Sequence, residues 1–327
     1  MVALASCGKT ESPVIEVVDT DRGYADQIVA SLSFDEYKEQ IRSLANFGNR
    51  RSGSPSNIAA GEWLEQKLED LGYDVEIHQF VSFGNPHSIY VTKVGTEFPD
   101  RMYIVSAHFD GFGDGDGADD DASGVSLVLS AARAFAEARV QTKISVRFIF
   151  WNTEESGLAG SRAYVSDRAE LQGMEDPPGS GLYPEPTWLG MIQHDMLLFD
   201  HGLPTQDEQV ATADLDIQYS SNSTFAEQSR SLAQKLVLSN VKHSSDYPAE
   251  LGDGMRGTDS VSFRNETASI SVRENMRREL EQGANPNWHA RTDIFETYSD
   301  ADFRLGFNAL QMTVGAIAEL TDAEITE

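Results

Sequence analysis

Three pieces of one stretch decide the fold: Tyr103-Ile-Val-Ser-Ala-His108-Phe-Asp110, Gly117-Ala-Asp-Asp-Asp-Ala-Ser-Gly124 and Trp151-Asn-Thr-Glu154-Glu155-Ser-Gly157. Residues 102–107 are a short run of β-branched and aromatic side chains, and residues 144–151 alternate before becoming continuously apolar. Between them, residues 123–139 carry apolar side chains at helical spacing. A strand, a helix and a second strand of these lengths predict a right-handed βαβ unit with parallel strands.

Polar side chains follow both predicted strands at the point where each strand ends. His108 and Asp110 follow the first strand, and Glu154 and Glu155 follow the second. In open α/β sheets, ligands bind at the carboxyl ends of the strands. We therefore expect these four side chains to lie at one edge of the sheet, where a histidine among carboxylates is typical of a metal site.

Strands and helices alternate along most of the remaining chain. Further strands are predicted at residues 74–81, 88–94, 188–196 and 268–272, further helices at 34–44, 57–71, 157–168, 223–238 and 299–320, and polar loops at 200–214, 240–259 and 273–289. Such interleaving favours one domain over two. We predict a single-domain, three-layer α/β/α fold with a mixed, mostly parallel central sheet over residues 26–327. A signal remnant and flexible tether are expected over residues 1–25.

Length and charge restrict the class of protein. The chain has 327 residues, of which 40% are hydrophobic, which is enough for a sizeable core. The formal net charge of -28 argues against a nucleic-acid partner, because phosphates would be repelled. No apolar run is long enough to cross a membrane.

The only cysteine, Cys7, cannot form an internal disulfide. It ends Leu4-Ala5-Ser6-Cys7, which has the small-residue pattern of a bacterial lipoprotein cleavage site. This interpretation predicts an exported protein in the periplasm or on the envelope of a bacterium, with a lipid anchor at Cys7 as its only membrane contact. A chance cysteine near a flexible terminus is the alternative, because the basic and apolar regions of a signal peptide are missing.

The residues at the two strand ends also have ordinary structural interpretations. Asp110 can orient the His108 imidazole by accepting its N–H, but such pairs are common without a ligand. Glu154 and Glu155 can simply start a helix, where the dipole favours acids. They also suit a division of labour in which one glutamate binds a metal and the other is the general base.

The acidic run at residues 119–121 can be a solvated turn. However, Asp114 and Asp116 add to its charge, and no Lys or Arg lies nearby in the sequence to neutralise it. An unpaired carboxylate cluster beside a histidine favours a bound cation. Ser123 is the candidate cap of the helix that follows.

Later histidines complete the candidate site. His194 and Asp195 are adjacent in a predicted strand and point to opposite faces, so only one is expected to reach the edge. His289 precedes Asp293 by four residues, which alone is a weak motif. The other histidines are interpreted as structural or exposed: His78, His87, His201 and His243.

Taken together, these motifs resemble the di-zinc exopeptidase family of bacterial leucyl aminopeptidases, aminopeptidase Y and glutamate carboxypeptidase. The resemblance covers residues 40–320 and rests on five motifs: His108-x-Asp110, Gly117-Ala-Asp-Asp-Asp-Ala-Ser-Gly124, Glu154-Glu155-x-Gly-Leu-x-Gly-Ser161, Asp195-Met196 and His289-x-x-x-Asp293. The second and third motifs together are highly specific.

The resemblance implies a role for each residue. It implies five ligands for two Zn²⁺ ions per chain: Asp120 as the bridge, His108 and Asp195 at one ion, and Glu155 and His289 at the other. Glu154 would be the general base, and Asp110 and Asp293 would support the ligands. Mn²⁺ or Co²⁺ are conceivable substitutes for zinc. Many members have Ser-Asp-His where this chain has Thr258-Asp259-Ser260, so Ser260 is expected to change substrate contacts rather than catalysis.

The activity implied is that of a metal-dependent aminopeptidase, which hydrolyses N-terminal residues from peptides through a metal-bridging water activated by Glu154. A glutaminyl-peptide cyclotransferase of the same fold and a carboxypeptidase of the same family stay open as alternatives. A third alternative is a non-enzymatic domain like the transferrin-receptor ectodomain. It would have lost ligands or the base, which this chain keeps.

The choice between the two ends of a peptide depends on charge. The acidic run from Asp114 to Asp121 favours a substrate ammonium group. Arginines around His289 offer the alternative of a carboxylate pocket, and they are Arg273, Arg277, Arg278 and Arg291. The motif puts the acids at the edge of the sheet, whereas the arginines belong to a loop of unknown direction, so an aminopeptidase is predicted.

Overall fold

A mixed eight-stranded sheet is the middle layer of the fold. The computed structural model describes residues 23–82, 84, 86–137, 139–200, 215–244, 246–274 and 285–326. The strands are β1 (Glu76–Gln79), β2 (His87–Lys93), β3 (Phe98–His108), β4 (Val140–Gln141), β5 (Ile144–Trp151), β6 (Thr187–His194), β7 (Leu215–Tyr219), β8 (Ala249–Asp253), β9 (Ser269–Glu274) and β10 (Glu324–Ile325). The sheet order is β1-β2-β5-β3-β6-β9-β7-β8, and β4 pairs with β10. The central strands β5, β3, β6 and β9 are parallel, so the predicted mixed, mostly parallel sheet is confirmed.

Helices cover both faces of this sheet. They are α1 (Tyr24–Ala30), α2 (Phe34–Ala45), α3 (Pro55–Asp70), α4 (Ala122–Ala136), α5 (Ala159–Arg168), α6 (Ala226–His243), α7 (Ser260–Phe263) and α8 (Asp300–Leu320). Successive residues of a strand point to opposite faces, and accordingly Val105 of β3 lies in the larger core while Ile104 lies in the smaller one. α5 and α7 supply Tyr164 and Phe263 to the smaller core, and the other helices pack into the larger one. The predicted three-layer fold is confirmed.

The predicted βαβ unit positions the site. It consists of β3, α4 and β5, and its strands are parallel with His108 opposite Trp151. β6 lies on the other side of β3, where Ser106 is opposite Gln193. Because these strands end side by side, the residues that follow β5, β3 and β6 meet at one edge of the sheet.

The cap of α4 differs from the prediction. Asp121 caps this helix, since its Oδ1 accepts the Gly124 N–H at 2.9 Å. Ser123 lies inside the helix, where its hydroxyl donates to the Asp119 carbonyl at 2.7 Å. The same hydroxyl accepts the Leu197 N–H at 3.1 Å, so Ser123 links α4 to the segment after β6.

The sequence does not predict several short elements. α1 begins at Tyr24, inside the segment expected to be a tether. β8 lies within the predicted loop 240–259. The sequence does not reveal it, because a half-exposed edge strand shows little apolar alternation. β9 continues to Glu274, so Arg273 belongs to a strand rather than to a loop.

Some predictions concern residues outside the described ranges. They are the motif at residues 4–7, most of the tether, the loop over 201–214 with His201, and two arginines, Arg277 and Arg278. Within the described ranges, no helix is both long and apolar enough to cross a membrane.

Two helical glycines allow a test of packing in the larger core. In α8, a Cβ added at Gly306 would overlap the hydroxyl of Tyr37, and it would lie 3.2 Å from the Leu197 carbonyl oxygen. We expect Gly306→Ala to lower the free energy of unfolding by about 1–3 kcal/mol through overpacking. The measurement is the urea unfolding midpoint.

The matched control is Gly61→Ala in α3. Its Cβ would meet Phe109 at an ordinary contact distance of 3.6 Å. Alanine is the better helix former, so this variant should be neutral or stabilised by up to about 1 kcal/mol. Equal losses in the two variants would contradict the proposed packing of α8 against Tyr37.

Candidate metal centre

Five candidate ligands meet at the carboxyl edge of the central strands. His108 is the last residue of β3, Glu155 follows β5, and Asp195 follows β6. Asp120 lies in the turn before α4, and His289 lies in the segment that leads to α8. The structure therefore brings together every ligand that the sequence proposes.

These five side chains form two groups of three that share Asp120. In the first group, Nε2 of His108 lies 3.3 Å from Oδ1 of Asp120 and 3.9 Å from Oδ1 of Asp195. In the second, Nε2 of His289 lies 3.2 Å from Oδ2 of Asp120 and 3.2 Å from Oε2 of Glu155. Each oxygen of Asp120 thus faces a different group, as a bridging carboxylate requires.

Asp110 ties the ends of β3 and β5 together. Its Oδ1 accepts the Glu154 N–H at 3.0 Å, and its Oδ2 accepts the Glu155 N–H at 3.3 Å. Nδ1 of His108 lies 3.1 Å from the Asp110 carbonyl oxygen and 3.7 Å from Oδ1. The main-chain carbonyl of Asp110 thus fixes the imidazole, while its carboxylate holds the two glutamates.

Asp293 supports the Asp120 turn rather than His289. Its Oδ1 accepts the Asp119 N–H at 2.8 Å and the Tyr298 hydroxyl at 3.0 Å. Its Oδ2 accepts the Asp120 N–H at 3.2 Å. The carboxylate therefore fixes the main chain that carries the proposed bridge.

Asp119 and Asp121 have structural roles that the sequence does not assign. Asp119 Oδ1 accepts the N–H groups of Leu197 and Leu198 at 2.7 and 2.8 Å. Asp121 Oδ2 accepts the His108 N–H at 3.2 Å, and its Oδ1 accepts the Met196 N–H at 3.3 Å. Both residues join the segments that follow β3 and β6. The acidic triplet is the sequence signal for these structural roles. Three consecutive side chains point in different directions, and only Asp120 belongs to the donor groups.

The sequence has no Lys or Arg close to the acidic run, but the structure places two arginines against it. Arg50 is fully buried and donates to the main-chain oxygens of Phe109, Asp116 and Gly117, at 3.0, 2.6 and 2.8 Å. Arg291 pairs with Asp114 at 3.1 Å. Arginines from distant parts of the chain thus fold back onto this loop, which sequence proximity cannot reveal.

Arg273 donates from Nη2 to Oδ2 of Asp195 at 2.8 Å. Burial raises the pKa of Asp195, but Arg273 and His108 outweigh it and hold that pKa below the usual range. The two arginines that lie inside the described ranges near His289, Arg273 and Arg291, therefore both pair with acids.

Electrostatics also favour a cation between the donors. Burial lowers the pKa of His289, but hydrogen bonds to Asp120 and Glu155 raise it to about 10. Burial and the charge of Asp120 raise the pKa of Glu155 to about 7. Both shifts come from the crowding of His289 with Asp120 and Glu155, which a cation bound between these donors would relieve.

Glu154 is buried beside the two groups. Burial raises the pKa of its carboxyl well above the usual range. The charge of His108 opposes this rise, and the charges of Asp259, Asp195 and Glu155 add to it. A carboxyl with a raised pKa close to metal ligands suits proton transfer.

The donor set fits zinc. It offers two imidazole nitrogens and three carboxylates, which are the ligands that Zn²⁺ takes together. The Oε1 atom of Glu155 is buried without a hydrogen-bond partner, and a buried acceptor without a donor is rare unless a ligand satisfies it.

Other histidines lie elsewhere. His194 points into the core, where its ring lies 3.2 Å from the Ser106 carbonyl oxygen and 2.9 Å from the Thr313 hydroxyl. Burial lowers its pKa to about 4. Asp195 alone reaches the edge, as the alternation predicts. The remaining described histidines pair with acids away from the site: His78 with Asp167, His87 with Glu65 and His243 with Asp26.

Ser260 starts α7 and is fully buried, with its hydroxyl 3.4 Å from the Ser271 hydroxyl. Its neighbour Asp259 is also buried, and burial raises the Asp259 pKa to about 7. The side chain of Ser260 is therefore engaged with β9.

Backbone strain concentrates at the site. Five described non-glycine residues have positive φ, and three of them adjoin a proposed site residue or are one: Thr153 at 64°, Met196 at 59° and His289 at 57°. Such conformations persist where the surroundings enforce them and cluster at functional sites.

Comparison with known proteins agrees with this geometry. The sequence model of peptidase family M28 matches residues 89–312, which is more than half of the chain. The chain therefore belongs to peptidase family M28, and the resemblance seen in its motifs is confirmed.

Among curated relatives, a probable zinc metalloprotease of Pyrenophora teres f. teres is 28% identical over 228 residues, which cover 58% of this chain and 48% of the relative. The chain thus spans about half the length of the curated relatives it matches.

Two solved structures share the fold. The LapA aminopeptidase of Legionella pneumophila has a TM-score of 0.69 and 18% identity, covering 97% of this chain and 79% of its own. A glutaminyl cyclase of Porphyromonas gingivalis has a TM-score of 0.62 and 20% identity, and the match covers 88% of this chain and 99% of the cyclase. At these identities the likeness shows the fold alone.

The shared position of Asp120 can be tested by metal content. We expect Asp120→Ala to abolish zinc binding at both groups, whereas Asp195→Ala or Glu155→Ala should remove one ion and leave the other. Elemental analysis of dialysed protein gives the zinc-to-protein ratio. Asp114→Ala, in the same acidic run but outside both groups, is the control and should keep the full ratio. An unchanged ratio in Asp120→Ala would rule out the bridge.

Proposed function

We propose that this chain is a zinc-dependent aminopeptidase that removes single N-terminal residues from peptides. The observation that carries the proposal is the pair of donor groups that share Asp120, with the buried carboxyl of Glu154 beside them. Membership of peptidase family M28 supports a peptide as substrate. The relative described as a probable zinc metalloprotease supports zinc-dependent peptide hydrolysis.

The metal would be held by the two donor groups. His108 and Asp195 would bind one zinc ion, Glu155 and His289 the other, and Asp120 both. Zinc bound there supplies Lewis acidity to the scissile carbonyl and lowers the pKa of water at the site. Arg273 keeps Asp195 in place through Oδ2, which leaves Oδ1 toward His108.

Glu154 would move the proton. Its carboxylate takes a proton from the attacking water and delivers it to the amine of the leaving peptide. Asp110 fixes the main chain of Glu154 and Glu155 through two N–H groups. One side chain can therefore bind metal while its neighbour serves as the base.

A buried acid beside Glu154 favours recognition of an amine. Asp259 is buried close to Glu154, and a substrate ammonium group would offset its charge. A carboxypeptidase needs a free cation for the substrate carboxylate. Of the described arginines near His289, Arg273 and Arg291 already pair with Asp195 and Asp114, whereas Arg51 lies against the Phe112 ring.

The role of Glu154 predicts a specific loss. Glu154→Gln keeps the shape of the side chain but cannot accept the proton, so kcat should fall by about 10²–10⁴-fold. The zinc-to-protein ratio should stay unchanged. Glu155→Gln is the matched comparison, because it should lose zinc together with activity. Near-normal turnover by fully loaded Glu154→Gln would refute the assignment of the base.

The end of the substrate that is recognised can be tested with three peptides. They share one sequence and carry a free amine, an acetylated amine or an N-terminal glutamine, and the products are identified by mass spectrometry. We expect release of the first residue from the free-amine peptide and loss of at least about 10²-fold in rate on acetylation. Release of the C-terminal residue from the acetylated peptide would indicate a carboxypeptidase. Formation of pyroglutamate without hydrolysis would indicate a cyclase.

A further inference from the structure

Two exposed aromatic side chains lie against the imidazole of His289. Phe112 is 45% exposed, and its ring centroid lies 4.8 Å from that of His289. Trp288 is 46% exposed, and its ring centroid lies 4.7 Å from that of His289. The only other large aromatic side chain exposed among the described residues is Tyr24 in α1. Two of the three thus lie at the metal centre.

The Phe112 ring is held in place although it faces water. Gly113 has a φ of 77°, and a Cβ there would overlap the His289 carbonyl, so the Phe112 loop lies directly against the main chain of His289. The Asn49 side-chain amide donates to the Gly113 carbonyl at 2.7 Å. The Arg51 guanidinium lies 5.3 Å from the Phe112 ring centroid.

Support of His289 alone does not explain this exposure. Rings that only held an imidazole would bury their faces, because exposed apolar area is unfavourable in water. Aromatic side chains kept exposed beside a binding site are typical of contact with a ligand. A ligand group placed against these rings would gain their apolar area.

The rings lie at the open end of the metal centre. The side chains of His108 and Asp195 are 1% and 4% exposed, whereas that of His289 is 31% exposed. If the substrate amine is held beside Asp259 at the buried end, the remaining peptide would extend toward the exposed end, where His289 lies. The first side chain beyond the scissile bond then reaches Phe112 and Trp288.

We propose that Phe112 and Trp288 form an aromatic clamp for the second residue of the substrate. The clamp would favour peptides in which that residue is aromatic or large and apolar, because aromatic pairs with centroids 4.5–7 Å apart attract each other beyond their buried area. This inference rests on the proposed aminopeptidase activity for its direction.

The test compares two substrates that differ only at the second residue. For Leu-Phe-amide and Leu-Gly-amide, the wild-type kcat/KM ratio should be about 10 or more. The double variant Phe112→Ala/Trp288→Ala should bring the ratio to about 1. Tyr24→Ala is the matched control. It removes an exposed aromatic ring in α1, outside the donor groups, and should keep the wild-type ratio.

Two further measurements separate the clamp from a structural role. The zinc-to-protein ratio of the double variant should equal that of the wild type, and the double variant Phe112→Tyr/Trp288→Phe should keep the preference. Loss of zinc from both double variants would mean that the rings only hold His289. A kcat/KM ratio between the two amides that stays at the wild-type value after loss of both rings would also overturn the clamp.

Failure of the proposed activity has a different signature. In the Glu154→Gln background, calorimetry measures the affinity for the two amides without turnover. A tighter complex with Leu-Phe-amide that depends on Phe112 and Trp288, together with no release of leucine by the wild type, would refute the aminopeptidase and support the clamp.

Discussion

The structure depends on how its buried carboxylates are satisfied. Four acids at the sheet edge accept main-chain N–H groups from neighbouring segments: Asp110, Asp119, Asp121 and Asp293. Each bond offsets the cost of burying charge and joins two chain segments. Asp120 and Glu155 have histidines as their partners instead. The N–H-bonded acids build the frame, and the acids without such bonds are left for a cation.

This division explains why the site is built from strand ends and tight turns. A carboxylate that bridges two ions, as we propose for Asp120, must present one oxygen to each ion, which requires a fixed main chain on both sides. Asp293 supplies that constraint from another part of the chain, through the N–H groups of Asp119 and Asp120. The turns after β5 and β6 are also strained, with positive φ values at Thr153 and Met196. Such strain is sustained because the surrounding bonds over-determine the geometry.

Local patterns made part of this predictable. The βαβ unit followed from two apolar runs around a helical one. Alternation in β6 predicted that only one of His194 and Asp195 reaches the edge, and the family resemblance selected Asp195. Contacts between distant segments could not be predicted, and Arg50, which folds under the acidic loop, is the main example. β8 was missed because a half-exposed strand carries little apolar signal. Local sequence does not encode which buried acid receives which distant donor.

The elements that carry the candidate ligands differ in how freely they can vary. His108, Glu155 and Asp195 adjoin buried parallel strands, and Asp120 is fixed by Asp293, so a change there disturbs the core. His289 lies in a loop segment, and its exposed neighbours Trp288 and Phe112 also lie in loops. Loops tolerate substitution better than buried strands. If Phe112 and Trp288 contact the substrate, as we propose, they can change without moving the donors on the strand ends and the Asp120 turn, which partly separates specificity from chemistry.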